Sequence, residues 1–168
     1  MIEGAKYSIK IMIQKLYKYC FIFIFIILSI LITGFIFQNS LQDSQTSNAQ
    51  SNSIAEVIKP IVDPNNQVEE ITFHKMTRKL AHGVEFCVLG CSVGALMFCI
   101  NAVLKHTHVF MMLFYLLSAA VTDEYIQSFT GRTSSVKDIF IDFAGAVIGL
   151  VFIIVIVTLF RKSRWHKT

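Results

Sequence analysis

Ten side chains between residues 78 and 142 have the types and spacing to do chemistry. Arg78, His82 and Glu85 fall at i, i+4 and i+7, on one face of a helix, with Lys79 beside them. Asp123 and Gln127 are one turn apart, and Glu124 flanks them. Asp138 and Asp142 are again one turn apart, and Arg132 stands in the turn before them. The cations suit a phosphate or another anion. His82 could exchange protons as a general acid or base, oriented by Glu85 or Asp123. The oxygen-rich set His82, Glu85, Asp123, Glu124, Asp138 and Asp142 could instead ligate a hard divalent ion. No HExxH, GxSxG or P-loop accompanies them, so no reaction class is indicated.

The elements that must position these groups are apolar blocks. Of 168 residues, 54% are apolar and only 15% are charged, against about 25% charged in a typical soluble domain. That excludes a disordered chain and argues against a soluble enzyme, because the apolar residues lie in long runs. The uncharged run Cys20–Phe37 is long enough to span a bilayer. It exceeds a signal-peptide core and ends in Phe and Ile rather than small residues, so it is expected to be retained. Further spans are expected over about 80–100, 109–129 and 136–160. The clean part of the third, Val109–Val121, is too short to cross alone. Its helix should therefore continue through Asp123, Glu124 and Gln127, unless the segment is re-entrant. The fold class expected is all-α: one polytopic helical membrane domain over 1–168 with about four spans.

Charge sets the expected topology. With four spans, the 1–19 tail, the loop with Lys105 and the C-terminal tail share one side, which holds nine Lys and Arg against Glu3 alone. The other side holds six basic and ten acidic residues. The positive-inside rule then places both termini in the cytoplasm. The net charge of +4 reflects topology, and no aromatic-interleaved basic patch suggests nucleic acid. Trp165 and Tyr7, Tyr17 and Tyr19 suit interfacial anchors.

The extracytoplasmic linker, 38–79, opens with a polar stretch, Gln38–Ser53, expected to be mobile. Ser53-Ile54-Ala55-Glu56 has the form of a capping box. Ile54, Val57, Ile58, Ile61 and Val62 follow at helical spacing, predicting a short amphipathic helix at the interface, limited by Pro60. Its roles could be a lid or merely a linker resting on lipid. Cys20, Cys87, Cys91 and Cys99 all lie in apolar segments, form no CxxC and read as small packing residues. His74, His106, His108 and His166, at loops or ends, read as solvated.

Below the polar groups run two small-residue seams, Gly90/Gly94 and Gly145/Gly149, each a GxxxG that lets helices approach closely. A polar outer end over a small-residue seam is thus repeated in the second and fourth spans.

On these residues the chain resembles the VanZ-like family of bacterial membrane proteins, named for a teicoplanin-resistance protein. Three segments carry the resemblance. The first is Phe37-Gln38-Asn39-Ser40 with Ser44. The second comprises Arg78, Lys79, Ala81, His82, Glu85, Phe86, Leu89 and Gly90. The third comprises Asp123, Glu124, Gln127, Phe129, Arg132, Ser135, Asp138, Asp142, Gly145 and Gly149. Gly83 departs from the aromatic expected after the His, and Phe86 stands where Tyr is common. The resemblance implies a multi-pass protein of the bacterial cytoplasmic membrane, associated with teicoplanin or glycopeptide resistance.

Three functions fit. The first is an envelope protein binding a lipid-linked wall precursor, a glycopeptide or another anionic envelope ligand through Arg78, Lys79, His82, Glu85, Asp123, Glu124, Gln127, Arg132, Asp138 and Asp142. The second is a membrane hydrolase or transferase on a lipid-linked phosphate or sugar, with His82, Glu85, Asp123 and Glu124 as catalytic candidates, metal-assisted if a divalent ion binds. The third, a small transporter, ranks lowest, because the inner halves of the spans lack ionisable lining. The plain structural alternative is an ion-pair network that fixes helix register. No cofactor is expected beyond that divalent ion. The partners expected are the lipid bilayer and the envelope ligand, not nucleic acid; the sequence carries no sign of oligomeric state.

Overall fold

The computed structural model describes residues 2–42, 44–65, 67–104, 108–130 and 134–165. These form five helices: α1 (Ile2–Ser40), α2 (Ser44–Val62), α3 (Glu70–Leu104), α4 (Val109–Ser128) and α5 (Val136–Trp165). Four of them, all but α2, are long and apolar enough to cross a membrane. The 20 residues of α4 rise about 30 Å, the thickness of a bilayer core. The third span is therefore a full-length helix that carries Asp123, Glu124 and Gln127 in its last turns, and the re-entrant alternative falls.

Contacts between distant residues give the helix directions. Ser29 meets Ser92, and Asn39 meets Glu85, so α1 runs antiparallel to α3. Gly83 abuts Gly145 and Cys87 abuts Gly149, so α3 and α5 run parallel. The end of α1, the start of α3, the end of α4 and the start of α5 consequently meet at one end of the bundle, opposite the termini.

Backbone proximity decides the α3–α5 packing. A Cβ added to Gly90 would strike the carbonyl of Ala146; one on Gly145 would strike that of Gly83, and one on Gly149 that of Cys87. The expected seams are thus real at three positions. Gly94 differs: its added Cβ would meet side chains of Ile153 and Leu150 at 3.2–3.3 Å. The Cys91 thiol donates to the Gly149 carbonyl at 3.5 Å. Phe86, Leu89 and Val93 of α3, Leu116 and Ala120 of α4, and Ala146 and Leu150 of α5 fill the core, with Ile36 from α1.

Two expectations change. Helix α2 begins at Ser44, not Ser53, and the Ser53 hydroxyl donates to the Ala49 carbonyl at 3.1 Å. It lies within the helix rather than capping it: the stretch from Ser44 has no Gly or Pro, and α2 packs on α3. Likewise α3 begins at Glu70, before the expected start near Leu80. Its added turns are covered where α2 packs on them, burying Ala55, Phe73 and Thr77. The amphipathic stripe of α2, Ile54, Val57, Ile58, Ile61 and Val62, stays exposed, as an interfacial helix facing lipid would be.

Candidate functional site

At the polar end, the side chains arrive from four helices. Helix α3 continues without a break across residues 78–85, so Arg78, Lys79, His82 and Glu85 are presented on successive turns. The last two turns of α4 contribute Asp123, Glu124 and Gln127, all buried. The first turns of α5 contribute Asp138 and Asp142.

Asp123 is the anchor. It is fully buried, and so is Ser40 at the end of α1. The Ser40 hydroxyl donates to Asp123 Oδ1 at 2.6 Å, and Gln127 Nε2 donates to Oδ2 at 2.7 Å. Both carboxylate oxygens are therefore engaged, as a buried carboxylate requires. Thr130 Oγ1 also donates to the Ser40 carbonyl at 3.3 Å, fastening the end of α1 to the turn after α4. Beside this knot, Asn39 Nδ2 donates to Glu85 Oε1 at 2.8 Å. His82 Nδ1 stands 3.6 Å from Glu85 Oε2 and 4.0 Å from Asp123 Oδ2. These distances exceed a hydrogen bond but bring the imidazole under the field of two carboxyl groups.

The opposite flank is tied by Lys79, which pairs with Asp138 across α3 and α5. Glu124 Oε1 accepts from the Ser135 backbone N–H ahead of α5. Glu124 Oε2, on a residue 2% exposed, has no hydrogen-bond partner in the structure. Arg78, Lys79, His82, Glu124, Gln127, Asp138, Ile141 and Asp142 together surround a cavity of about 20 Å³. Such a space holds about one water. It could take a single oxygen or ammonium group from a ligand, not a sugar ring.

Seven of the ten residues singled out in the sequence therefore line one cavity. Asp123 and Glu85 stand behind it, joined to it through Gln127 and His82. Arg132 lies outside the described residues. Among the described residues no three His, Cys, Asp or Glu converge as metal ligands. Asp138 is taken by Lys79, and Asp123 by Ser40 and Gln127. Asn39 and Ser40 were missed as site residues. Their signal was present, as polar residues directly following an uncharged apolar run, but such a run-end reads equally well as a solvated helix terminus.

A family model described as VanZ/LLP1 matches residues 25–160. The chain belongs to the VanZ/LLP1 family. The matched region contains every described residue of the cavity, the Asn39–Ser40 end of α1 and the glycine seams. VanZ/LLP1 membership with four apolar helices makes this a multi-pass membrane protein. It supports a VanZ-type, resistance-associated envelope protein. No curated protein and no solved structure matches the chain.

Proposed function

We propose that this VanZ-family protein resides in the bacterial cytoplasmic membrane with both termini inside. There it engages a lipid-linked or anionic envelope ligand through its polar end, and thereby lowers the action of teicoplanin or related glycopeptides. The observation that carries this reading is the cavity where Arg78 and Lys79 stand beside buried carboxylates at one end of the bundle. Charged residues inside a membrane protein are costly and tend to mark ligand or ion sites. Arg offers a planar fork for phosphate or carboxylate. The cavity's small size favours insertion of one polar group of a ligand whose bulk stays outside. The uneven distribution of Lys and Arg supports the orientation.

A second reading, a hydrolase or transferase on a lipid-linked phosphate or sugar, has one observation in its favour. His82 lies within 4.0 Å of carboxyl oxygens from both Glu85 and Asp123. A general acid or base held between two carboxyl groups is a common catalytic device. The test separates the readings. A teicoplanin-sensitive Gram-positive host expresses the wild type, Asp123→Asn or His82→Ala, and each protein's membrane level is blotted. Protection by the wild type, lost in the variants at unchanged abundance, is expected. Loss of abundance along with protection would make the polar end a structural lock only. Protection retained in His82→Ala would remove the enzyme reading.

A further inference from the structure

Two contacts bracket the hydrocarbon core along α3. At one end Lys18 Nζ donates to the Ala102 carbonyl at 3.4 Å, and at the other Asn39 Nδ2 donates to Glu85 Oε1 at 2.8 Å. Between Glu85 and Ala102 the helix rises about 26 Å, close to the roughly 30 Å of a bilayer core. Yet α3 is unbroken from Glu70, so its Glu70–Val84 part runs about 22 Å further along the axis. The head-group layer on that side covers only about 5–7 Å of it. Along this stretch α3 and α2 enclose a cleft of about 670 Å³, within the size range of ligand sites. Ile54, Ile58 and Val62 of α2 and Met76, Leu80 and Val84 of α3 line it, and all six are exposed. Inside the core such surface is covered by lipid. Beyond the head groups it meets water, which is unfavourable, and a large apolar patch there marks a binding surface.

The cleft has a way in from the membrane. Val84 and Glu85 belong to its lining. The same two residues, with Leu31, Ile32 and Phe35 of α1, line a second apolar groove of about 310 Å³. These α1 residues precede Asn39, so the second groove lies within the core. Cleft and groove form one track from lipid to the space between α2 and α3. The track passes the polar end at Glu85, whose Oε2 stands 3.6 Å from His82 Nδ1. We propose that this track holds the hydrocarbon chain of the lipid-linked ligand whose polar group enters the polar end. The proposal rests on that reading of the polar end and adds where the lipid part goes. A chain can enter the track from lipid without crossing water, and it covers the exposed side chains of both helices at once. It asks for no polar partner from a wall that is mainly aliphatic. A soluble protein could cover the cleft, but not the groove that continues it inside the core.

The test places the full-length protein in phosphatidylglycerol nanodiscs, with a trace of the same lipid carrying a diazirine at the end of one acyl chain. After irradiation, labelled residues are mapped by mass spectrometry. In ordinary lipid a chain end lies near the bilayer midplane, the level of the Ser29–Ser92 pair. Label on Met76 and Leu80 is expected in addition, because a chain drawn up the track carries its end past Glu85. Ala81→Trp fills the cleft, and Leu80→Gln makes its wall polar. Both residues line the cleft and are exposed, so neither change disturbs the core. Each should cut the label on Met76 about tenfold, the loss of roughly two buried methylenes, and leave the midplane label unchanged. No label past Glu85 in the wild type, or a label that neither variant reduces, would overturn the inference. So would full protection against teicoplanin by Ala81→Trp at wild-type abundance. The reading beneath it is judged by Asp123→Asn in the resistance test. Protection lost there, with no label on Met76, would refute the track and leave the polar end standing. Label on Met76, with protection kept in Asp123→Asn, would refute the polar-end reading and reduce the track to a site for membrane lipid.

Discussion

The α3–α5 seam and the polar end above it are built on the same two helices by opposite means. In the seam, backbone meets backbone, and Gly90, Gly145 and Gly149 are needed because any Cβ would occupy a neighbour's carbonyl. At the polar end, side chains fill the space, and α1 and α4 intervene to satisfy them: Ser40 and Gln127 on Asp123, Asn39 on Glu85. The seam sets distance by what is missing. The polar end sets register by what is paired. In a bilayer, where apolar burial gives little drive for helix association, a bundle needs both.

Breaking the seam should have the largest effect. Gly149→Leu would drive a side chain into the Cys87 carbonyl and the Cys91 amide. Overpacking a side-chain core costs roughly 1–3 kcal/mol; here the obstacle is backbone, which has no other rotamer. No monodisperse protein should be recovered on size-exclusion chromatography. Gly34→Ala, in open space, should elute and melt as wild type does.

The polar end comes next. Ser40→Ala leaves Asp123 Oδ1 buried without its donor, a loss of about 1.5–3 kcal/mol, seen as a lower melting temperature in detergent. Unchanged melting would mean that the seam holds the bundle alone. Smaller still is the pair halfway down α1, where the Ser29 and Ser92 hydroxyls lie 2.9 Å apart. Ser29→Ala should cost about 0.6 kcal/mol, the average for hydrogen bonds between membrane helices. A loss as large as that of Ser40→Ala would show that α1 is held along its length rather than at its tip.

The smallest effect is outside both regions. The Asp63 carboxylate accepts from the backbone N–H of Gln67 and Val68, at 2.9 Å each, and these bonds hold its pKa below the usual range. Its contribution is present above the ordinary aspartate value of about 3.9. It is lost as pH falls through the depressed value. Hydrogen-exchange protection at Gln67 and Val68, corrected for intrinsic rates, should hold from neutral pH to about pH 4 and fall below it. Asp63→Asn should lower the protection at neutral pH and flatten that profile.

Legibility followed sequence distance. The spans were plain as uncharged runs, and the seams as glycines one turn apart, because both are local patterns. So was the face shared by Arg78, His82 and Glu85. The partners of those groups were not. Ser40 and Asp123 are 83 positions apart, and nothing beside Ser40 distinguishes a buried donor from a solvated helix end. His74, read as solvated, is half-buried with its Nδ1 shielded from solvent, for a related reason. Its surroundings depend on α2 being helical from Ser44, and a stretch so rich in Ser, Asn and Gln has weak helix propensity of its own. Packing on α3 overrides that preference.

The fastenings of α1 also dictate an order of assembly. This helix is synthesised before α3 and α4, so Ser92, Tyr115, Glu85 and Asp123, which receive Ser29, Thr33, Asn39 and Ser40, all come later in the chain. Until then Thr33 can turn its hydroxyl back to the Ser29 carbonyl, a bond of 2.9 Å within its own helix. A newborn α1 can therefore wait in lipid as a self-sufficient rod. Its final berth is complete only once α4 has been threaded into the membrane, so a chain cut short before Asp123 would hold its first helix by α3 but leave Ser40, at its tip, without the Asp123 carboxylate.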